Sequence, residues 1–306
     1  MIYAPWAKWR NALLPRLCLG ENGFIFGKPW HDMIDREQVL EFAKKEGFKG
    51  IELHPYYESF SKGSEDNIRN EIKSYGLEIP CIQTGFVTGM YSPLSQSEEI
   101  RDKFHNTMKE WIEFAHLLGA PTATVSPPQF SADLVMNGYS QDDMVNMFID
   151  SLNRLVETAE ENKVVLAFEP EPQMILNGGF VRKPIEDTLR VLDAVKSDYV
   201  KVLYDVTHAN TLGKGDPVGF LKALKGRVGW THIADNDGWI TPYFLSSNHL
   251  EFGKGNINIE AVMKTLKETC PHLEWLQVDV WENTTPFETA SKNKKVLEGI
   301  LRKIKW

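Results

Sequence analysis

The stretch VVLAFE, Val164–Glu169, is five apolar residues closed by a carboxylate. Successive side chains of a strand point to opposite faces. With Glu169 turned into a barrel, Val164, Leu166 and Phe168 point out, where helices of an α/β fold would cover them. Three later runs repeat the pattern: VKVLYD (Val200–Asp205), VGWTHI (Val228–Ile233) and WLQVDV (Trp275–Val280). Asp205 inward leaves Val200, Val202 and Tyr204 outward. His232 inward leaves Gly229, Thr231 and Ile233 outward, and Asp279 inward leaves Leu276, Val278 and Val280 outward. In every run the polar residue comes late, at the strand end where barrel active sites are built.

Working outward, four earlier runs read as strands: Leu17–Gly20, Gly50–His54, Ile79–Gln83 and Thr122–Ser126. Helical patterns fill the intervals at Arg36–Lys45, Glu65–Tyr75, Glu98–Leu118, Asp142–Asn162, Pro184–Lys196, Pro217–Leu224, Ile259–Thr269 and Phe287–Ile304. Gly47, Gly76, Gly119 and Gly226 follow helical runs where a left-handed residue is wanted. Ser97, Ser140 and Asp216 are N-cap candidates, and Pro184 and Pro217 suit a first turn. Eight strands alternating with eight helices over 306 residues predict an α/β fold, a (β/α)8 TIM barrel occupying 1–306 as a single domain. The competing doubly wound sheet would need a glycine-rich turn after its first strand, and none is present.

Composition narrows the function. The 34 Lys and Arg against 42 Asp and Glu give a net charge of −8, which argues against a nucleic-acid partner. Cys18, Cys81 and Cys270 are widely spaced and odd in number, so neither a disulfide framework nor a zinc-thiolate site is expected. The first twenty residues carry charges throughout and hold no signal-peptide core. No apolar stretch reaches eighteen residues, so a soluble, cytoplasmic protein without a membrane partner is expected.

Three carboxylates and an imidazole turned into one space would repel or stay unsatisfied without a cation. Glu169, Asp205, His232 and Asp279 are therefore candidate ligands of one divalent metal. Oxygen-rich ligation with one nitrogen suits Mn²⁺ first, with Mg²⁺, Zn²⁺, Co²⁺ or Fe²⁺ as alternatives. Such an ion can hold two vicinal oxygens of a sugar and polarise a carbonyl. Around the rim, Glu52 and His54 end the second strand two residues apart, so both can face the same side. Gln83, Ser126 and Gln129 could hydrogen-bond sugar hydroxyls, whereas Glu171, beyond Pro170, reads as a supporting group. Aromatic residues are frequent near the strand ends: Trp30, Tyr56, Tyr57, Phe86, Tyr91, Phe130, Trp239, Tyr243 and Trp281. Trp239 is the one taken as a sugar-stacking candidate. Exposed rim aromatics would also suit a partner subunit, and a homo-oligomer is expected. Lys201 and Lys214 lack a glycine-rich phosphate cradle, so the expected substrate is unphosphorylated.

The segments AFEPEPQ (167–173), LYDVTHAN (203–210), WTHIADND (230–237) and EWLQVDVWE (274–282) together resemble the xylose isomerase-like TIM-barrel superfamily, the sugar phosphate isomerase/epimerase group. The loop EFGKGNINIEAVMKTLKE (251–268) and GIEL (50–53) are similar to further parts of that pattern, and the resemblance of the second strand makes Glu52 and His54 candidate substrate contacts. The resemblance implies metal ligands at Glu169, Asp205, His232 and Asp279, with His208 contacting substrate oxygens or a metal-bound water. It also implies that Glu169 and Asp279 are the acid/base pair of an isomerase or epimerase acting on a keto-sugar or related polyol through an enediolate. The chain departs from the family in three places. Asp279 is one methylene shorter than the usual glutamate, with Glu282 as a substitute ligand. Ala234-Asp235-Asn236-Asp237 stands where an arginine often follows the histidine. A long segment, Gly238–Leu250, carries Trp239, Tyr243, Phe244 and His249. These departures keep a lyase in play, with β-elimination on the same metal platform as in inosose dehydratase-like or C-glycoside-deglycosidase-like enzymes. Apurinic-site endonucleases share the fold but call for more histidine ligands and a basic groove. A non-catalytic sugar-binding barrel is the remaining alternative.

Overall fold

A computed structural model describes residues 14–25, 33–54, 63–126, 134, 136–171, 184–239, 247–281 and 284–306, with residues 86, 88 and 89 described in their backbone only. Gln129, Glu282 and the aromatics Trp30, Tyr56, Tyr57, Phe130, Tyr243 and Phe244, together with the side chain of Phe86, lie outside the described residues.

Eight parallel strands close into a barrel in sequence order. They are β1 (Arg16–Gly20), β2 (Gly50–Leu53), β3 (Glu78–Ile82), β4 (Thr122–Val125), β5 (Val165–Phe168), β6 (Val200–Asp205), β7 (Val228–Ile233) and β8 (Trp275–Val278). Closure joins β1 to β8, with Arg16 opposite Trp275 and Leu19 opposite Val278. Asp205 and His232 end up directly opposite each other on neighbouring strands, and His232 lies opposite Gln277.

Side chains divide into two cores. Leu166, Phe168, Val202, Tyr204, Leu276 and Val278 face out and pack with the helices. Cys18, Cys81, Ala167, Leu203, Trp230 and Trp275 fill the barrel interior. The inward register of Ala167, Leu203, Trp230 and Trp275 continues two or four residues on to Glu169, Asp205, His232 and Asp279. At the opposite mouth the Arg16 guanidinium lies 3.8 Å from the centre of the Trp275 ring. All three cysteines are buried thiols.

One expected orientation is corrected. The β6–β7 register passes from Val202↔Val228 to Leu203↔Trp230, so Gly229 is an extra residue on β7. A Cβ at Gly229 would come within 2.9 Å of Lys201 Cβ and 3.0 Å of Val165 Cγ1. Those residues share the inward register of Leu203 and Ala167, so Gly229 faces in, not out. A bulge breaks the two-residue period locally and restores it at Trp230.

Two long helices show how the sequence sets the outer layer. Helix Glu98–Leu118 starts at Ser97, whose hydroxyl accepts from Ile100 N, and stops at Gly119 with φ 80°. Helix Gln141–Asn162 opens with a capping box between Ser140 and Asp143 and buries Met144, Phe148, Leu152, Leu155 and Ala159. Its Phe148 meets Phe168 of β5 edge-on, 5.9 Å between centroids at 78°. Phe148→Ala should therefore cost about 3–5 kcal/mol of stability, measured by chemical denaturation followed by circular dichroism. A loss below about 1 kcal/mol would contradict this packing.

The expected strands Gly50–His54, Ile79–Gln83, Thr122–Ser126, Val164–Glu169 and Trp275–Val280 end one or two residues earlier than written from the sequence. The trimmed residues belong to the rim and include Glu169 and Asp279. Three described helices were not expected, Asn22–Ile25, Gly85–Met90 and Val206–Leu212. None of the described helices is long and apolar enough to cross a membrane.

Candidate metal centre and active site

The candidate ligands meet at the C-terminal mouth. Glu169 follows β5, and its backbone N–H extends the ladder to Val125 O at 3.1 Å. The next residue is Pro170, which favours an extended conformation for Glu169. Asp279 follows β8, with its N–H donating to Ile233 O at 3.1 Å. Asp205 and His232 are within their strands. All four side chains are buried.

Asp205 is held from two sides. Its Oδ1 accepts from Thr207 N at 2.6 Å, Thr207 Oγ1 at 2.6 Å and His208 N at 3.1 Å. It thereby caps the unexpected helix Val206–Leu212. The other oxygen, Oδ2, is left facing the mouth, 3.7 Å from His232 Nδ1. Glu169 Oε1 lies 3.4 Å from the same nitrogen. Glu169, Asp205 and His232 thus present one donor atom each within 4.8 Å of one another, a set that could hold a metal ion. Bonds of about 2.1 Å at octahedral or tetrahedral angles place ligand atoms roughly 3.0–3.4 Å apart. The observed spacings are close to that range, and the donor set fits a divalent cation.

His232 is oriented from below. Its Nε2 lies 3.0 Å from Glu52 Oε2, and the same oxygen accepts from Trp230 Nε1 at 2.6 Å. Glu52 is 1% exposed. A buried carboxylate accepting Nε2–H would leave Nδ1, aimed at Glu169 and Asp205, as the nitrogen that gives up its proton to a cation. This is the outer-shell pattern that fixes a metal-ligating histidine in one tautomer. Glu52 was expected to touch substrate; the structure places it beneath His232, with its charge directed at that ring. Glu52→Gln should weaken divalent-metal binding about 10–100-fold, read by titrating metal-free protein with Mn²⁺. An unchanged affinity would remove Glu52 from the support of this histidine.

The charges of this cluster are mutually adjusted. Burial alone would raise Asp205, but His208 and His249 beside it hold its carboxyl well below the usual range. Burial would lower His232, yet Glu52, Asp205 and Glu169 push it well above the ordinary imidazole value. Burial lowers His208 and raises Asp279. Buried carboxylates gathered around these imidazoles are the surroundings in which a divalent cation would be stabilised.

The remaining sequence candidates are distributed unevenly. His208 joins the centre, its Nε2 3.6 Å from Glu169 Oε1 and 3.8 Å from Asp205 Oδ2. Among the described residues its Nδ1 has no hydrogen-bond partner. His54 is buried, and its N–H donates to Glu21 Oε2 at 2.8 Å. Burial pushes its imidazole down to about 3, so it is neutral near pH 7. Gln83 Oε1 accepts from Gly85 N at 3.0 Å and from Thr124 Oγ1, tying it between the ends of β3 and β4. Trp239 is 66% exposed, at the outer edge of the segment that follows β7. Glu171 is buried.

Two participants were not singled out from the sequence. Glu21, just after β1, pairs with Arg36 Nε at 3.0 Å and anchors His54. His249 brings its Nε2 to 3.2 Å from Asp205 Oδ2 and 3.3 Å from Asp279 Oδ2. In the sequence it is one residue of the atypical segment Gly238–Leu250. Asp279 reaches the centre chiefly through this contact, since its Oδ1 accepts from Val280 N at 2.8 Å.

The structure is thus a closed parallel TIM barrel whose C-terminal mouth gathers carboxylates and imidazoles that could hold a metal ion. The chain matches the xylose isomerase-like TIM-barrel family over residues 40–296 and belongs to it. An uncharacterized protein of Methanocaldococcus jannaschii, MJ1311, is 27% identical over 180 residues, or 58% of this chain and 57% of that protein. The match therefore spans little more than half of that relative's length. Among solved structures, a D-tagatose 3-epimerase-like protein superposes with a TM-score of 0.74 at 20% identity, covering 95% of this chain and 98% of its own. An IOLI protein with a bound zinc atom gives 0.73 at 19% identity, covering 94% and 99%. At these identities the superpositions speak for the fold.

Proposed function

We propose that the protein is a divalent-metal-dependent isomerase or epimerase of an unphosphorylated keto-sugar or related polyol. The observation that carries this reading is the buried group formed by Glu169, Asp205 and His232, with Asp279 joined to it through His249. The names of the structural neighbours, a D-tagatose 3-epimerase-like protein and a zinc-binding IOLI protein, support the substrate class and the cation. Mn²⁺ is the ion proposed, because the donors are mainly carboxylate oxygens joined by imidazole nitrogen.

When bound, the ion would polarise the substrate carbonyl and hold a neighbouring oxygen. The chain's residues then divide the remaining work. Glu169 and Asp279 arrive from β5 and β8, three strands apart around the mouth, and so can address opposite faces of a substrate placed between them. One carboxylate takes the proton from the carbon beside the carbonyl, and the other returns a proton to the opposite face, inverting that centre. His208, beside Glu169, would donate to a substrate oxygen. Glu52 would hold His232, and the buried rim formed by His54 and Gln83 would limit water. Trp239 would offer a stacking face to the sugar ring.

Metal-loaded protein incubated in D₂O with ketohexoses, inososes and 3-keto-glycosides tests this reading. Uptake of one solvent deuteron without loss of mass is expected for at least one substrate. Loss of water or of an aglycone would replace the isomerase by a lyase on the same residues. No exchange with any member of the panel, with metal bound, would contradict both.

A further inference from the structure

His249 reaches the metal centre by a route that the barrel itself does not supply. Asp235, just after β7, pairs antiparallel with Leu250, its N–H donating to Leu250 O at 3.0 Å and its C=O accepting from Leu250 N at 2.7 Å. The Asp235 carboxylate accepts from Gly253 N at 2.8 Å, Gly255 N at 3.0 Å and Ile257 N at 3.1 Å. Asn236 is fully buried; its Nδ2 donates to Asn248 O at 3.0 Å, while its Oδ1 accepts from Asn210 Nδ2 at 2.8 Å. Thr211 and Ser247 hydroxyls meet at 2.9 Å. Asn210 and Thr211 belong to the helix that Asp205 caps. The network therefore locks residues 247–250 against the same short helix that fixes the Asp205 carboxylate.

The outcome is specific. The His249 side chain is 3% exposed, and its Nε2 lies 3.1 Å from Thr207 Oγ1, 3.2 Å from Asp205 Oδ2 and 3.3 Å from Asp279 Oδ2. Those separations are the spacing of neighbouring atoms in a metal's coordination shell, roughly 3.0–3.4 Å. They are shorter than the separations of His232 Nδ1 from Glu169 and Asp205. Asp205, His208 and His249 also form a group whose donor atoms all lie within 4.8 Å of one another.

We propose that His249 is a direct ligand of the metal ion, its Nε2 entering between Asp205 and Asp279 as a second imidazole. This rests on the metal-centre reading above. It assigns a purpose to two departures in the sequence. The Asp235-Asn236-Asp237 turn builds the loop that delivers the histidine, and the shortened Asp279 leaves room for an imidazole on its side of the mouth. A second nitrogen donor moves the centre's preference away from Mg²⁺ and towards later ions such as Co²⁺ and Zn²⁺.

The test counts nitrogens and measures affinity. Pulsed EPR of the Mn²⁺-loaded protein should show two directly coordinated imidazole nitrogens in the wild type and in His208→Ala, but one in His249→Ala. Zn²⁺ should bind His249→Ala more than about 100-fold more weakly, beyond the 10–100-fold loss that removal of an outer partner costs. Retention of the wild-type couplings and affinity in His249→Ala would overturn the proposal. If His249→Ala does not fold, the wild type and His208→Ala decide: two nitrogens in both support it, and one nitrogen in either overturns it. A wild type that binds no divalent ion would overturn the metal centre itself, a different failure from a centre that binds metal with one imidazole.

Discussion

Asp205→Ala is expected to bind its divalent ion more than about 100-fold more weakly than the wild type, which is the upper range for loss of a mere outer-shell partner. The reason is position. Asp205 Oδ2 lies within 3.8 Å of a nitrogen of each of His208, His232 and His249, the common neighbour of every imidazole in the centre. Removing it would leave those rings without the charge that draws a cation between them. The other oxygen also caps helix Val206–Leu212, so alanine should cost about 1 kcal/mol of stability as well. Asp205→Asn separates the two effects, because asparagine also serves as an N-cap but carries no charge. Calorimetric titration of metal-free protein with Mn²⁺ checks both variants. Wild-type stoichiometry and affinity in Asp205→Asn would exclude this residue as a ligand.

Glu169→Gln is the second large effect. Glutamine preserves the length and shape of the side chain but cannot take a proton from carbon. Proton transfer by a positioned group is worth about 10²–10⁴-fold in rate. The solvent-exchange rate of Glu169→Gln at saturating metal should fall by at least that much, with the fold unchanged by circular dichroism. A rate within about fivefold of the wild type would remove Glu169 from the proton path. Working at saturating metal matters here, since the variant also loses a charged oxygen from the cation's surroundings.

The expected elements that survive best are those whose signals are local. Helices Glu98–Leu118, Pro217–Leu224 and Ile259–Thr269 run as the periodicity specifies, the first two from the expected caps Ser97 and Asp216, because side-chain spacing and a nearby cap are enough to start and face them. The inward register of Glu169, Asp205, His232 and Asp279 was legible for the same reason. Apolar residues at alternate positions must meet the helices, which fixes where the polar ones point.

What escaped the sequence depends on neighbours in space. Gly229 turns in because β6 and β7 slip by one residue, and a single strand's alternation carries no record of its partner's register. Glu52 was visible as a polar group near the end of β2. Only barrel closure, however, places it under His232 and Trp230, residues about 180 positions away. Helix Val206–Leu212 is too short to show a full helical period, and its one clue was an aspartate ahead of a threonine. His249 is the most distant case. Its arrival beside Asp205 requires the chain to leave β7, return through the Asp235–Leu250 bridge and be pinned by Asn236 and Asn210. The glycines at 253 and 255, whose N–H groups close onto Asp235, were the only local hint of that return.

The central claim is that one divalent ion sits at the C-terminal mouth between these side chains. Crystals grown with Mn²⁺ and measured near the manganese absorption edge test it most directly. A single strong anomalous peak is expected within about 2.0–2.3 Å of donor atoms from Glu169, Asp205 and His232, with Asp279 on its open side. No peak there at saturating Mn²⁺, or a peak only among surface carboxylates, would contradict it.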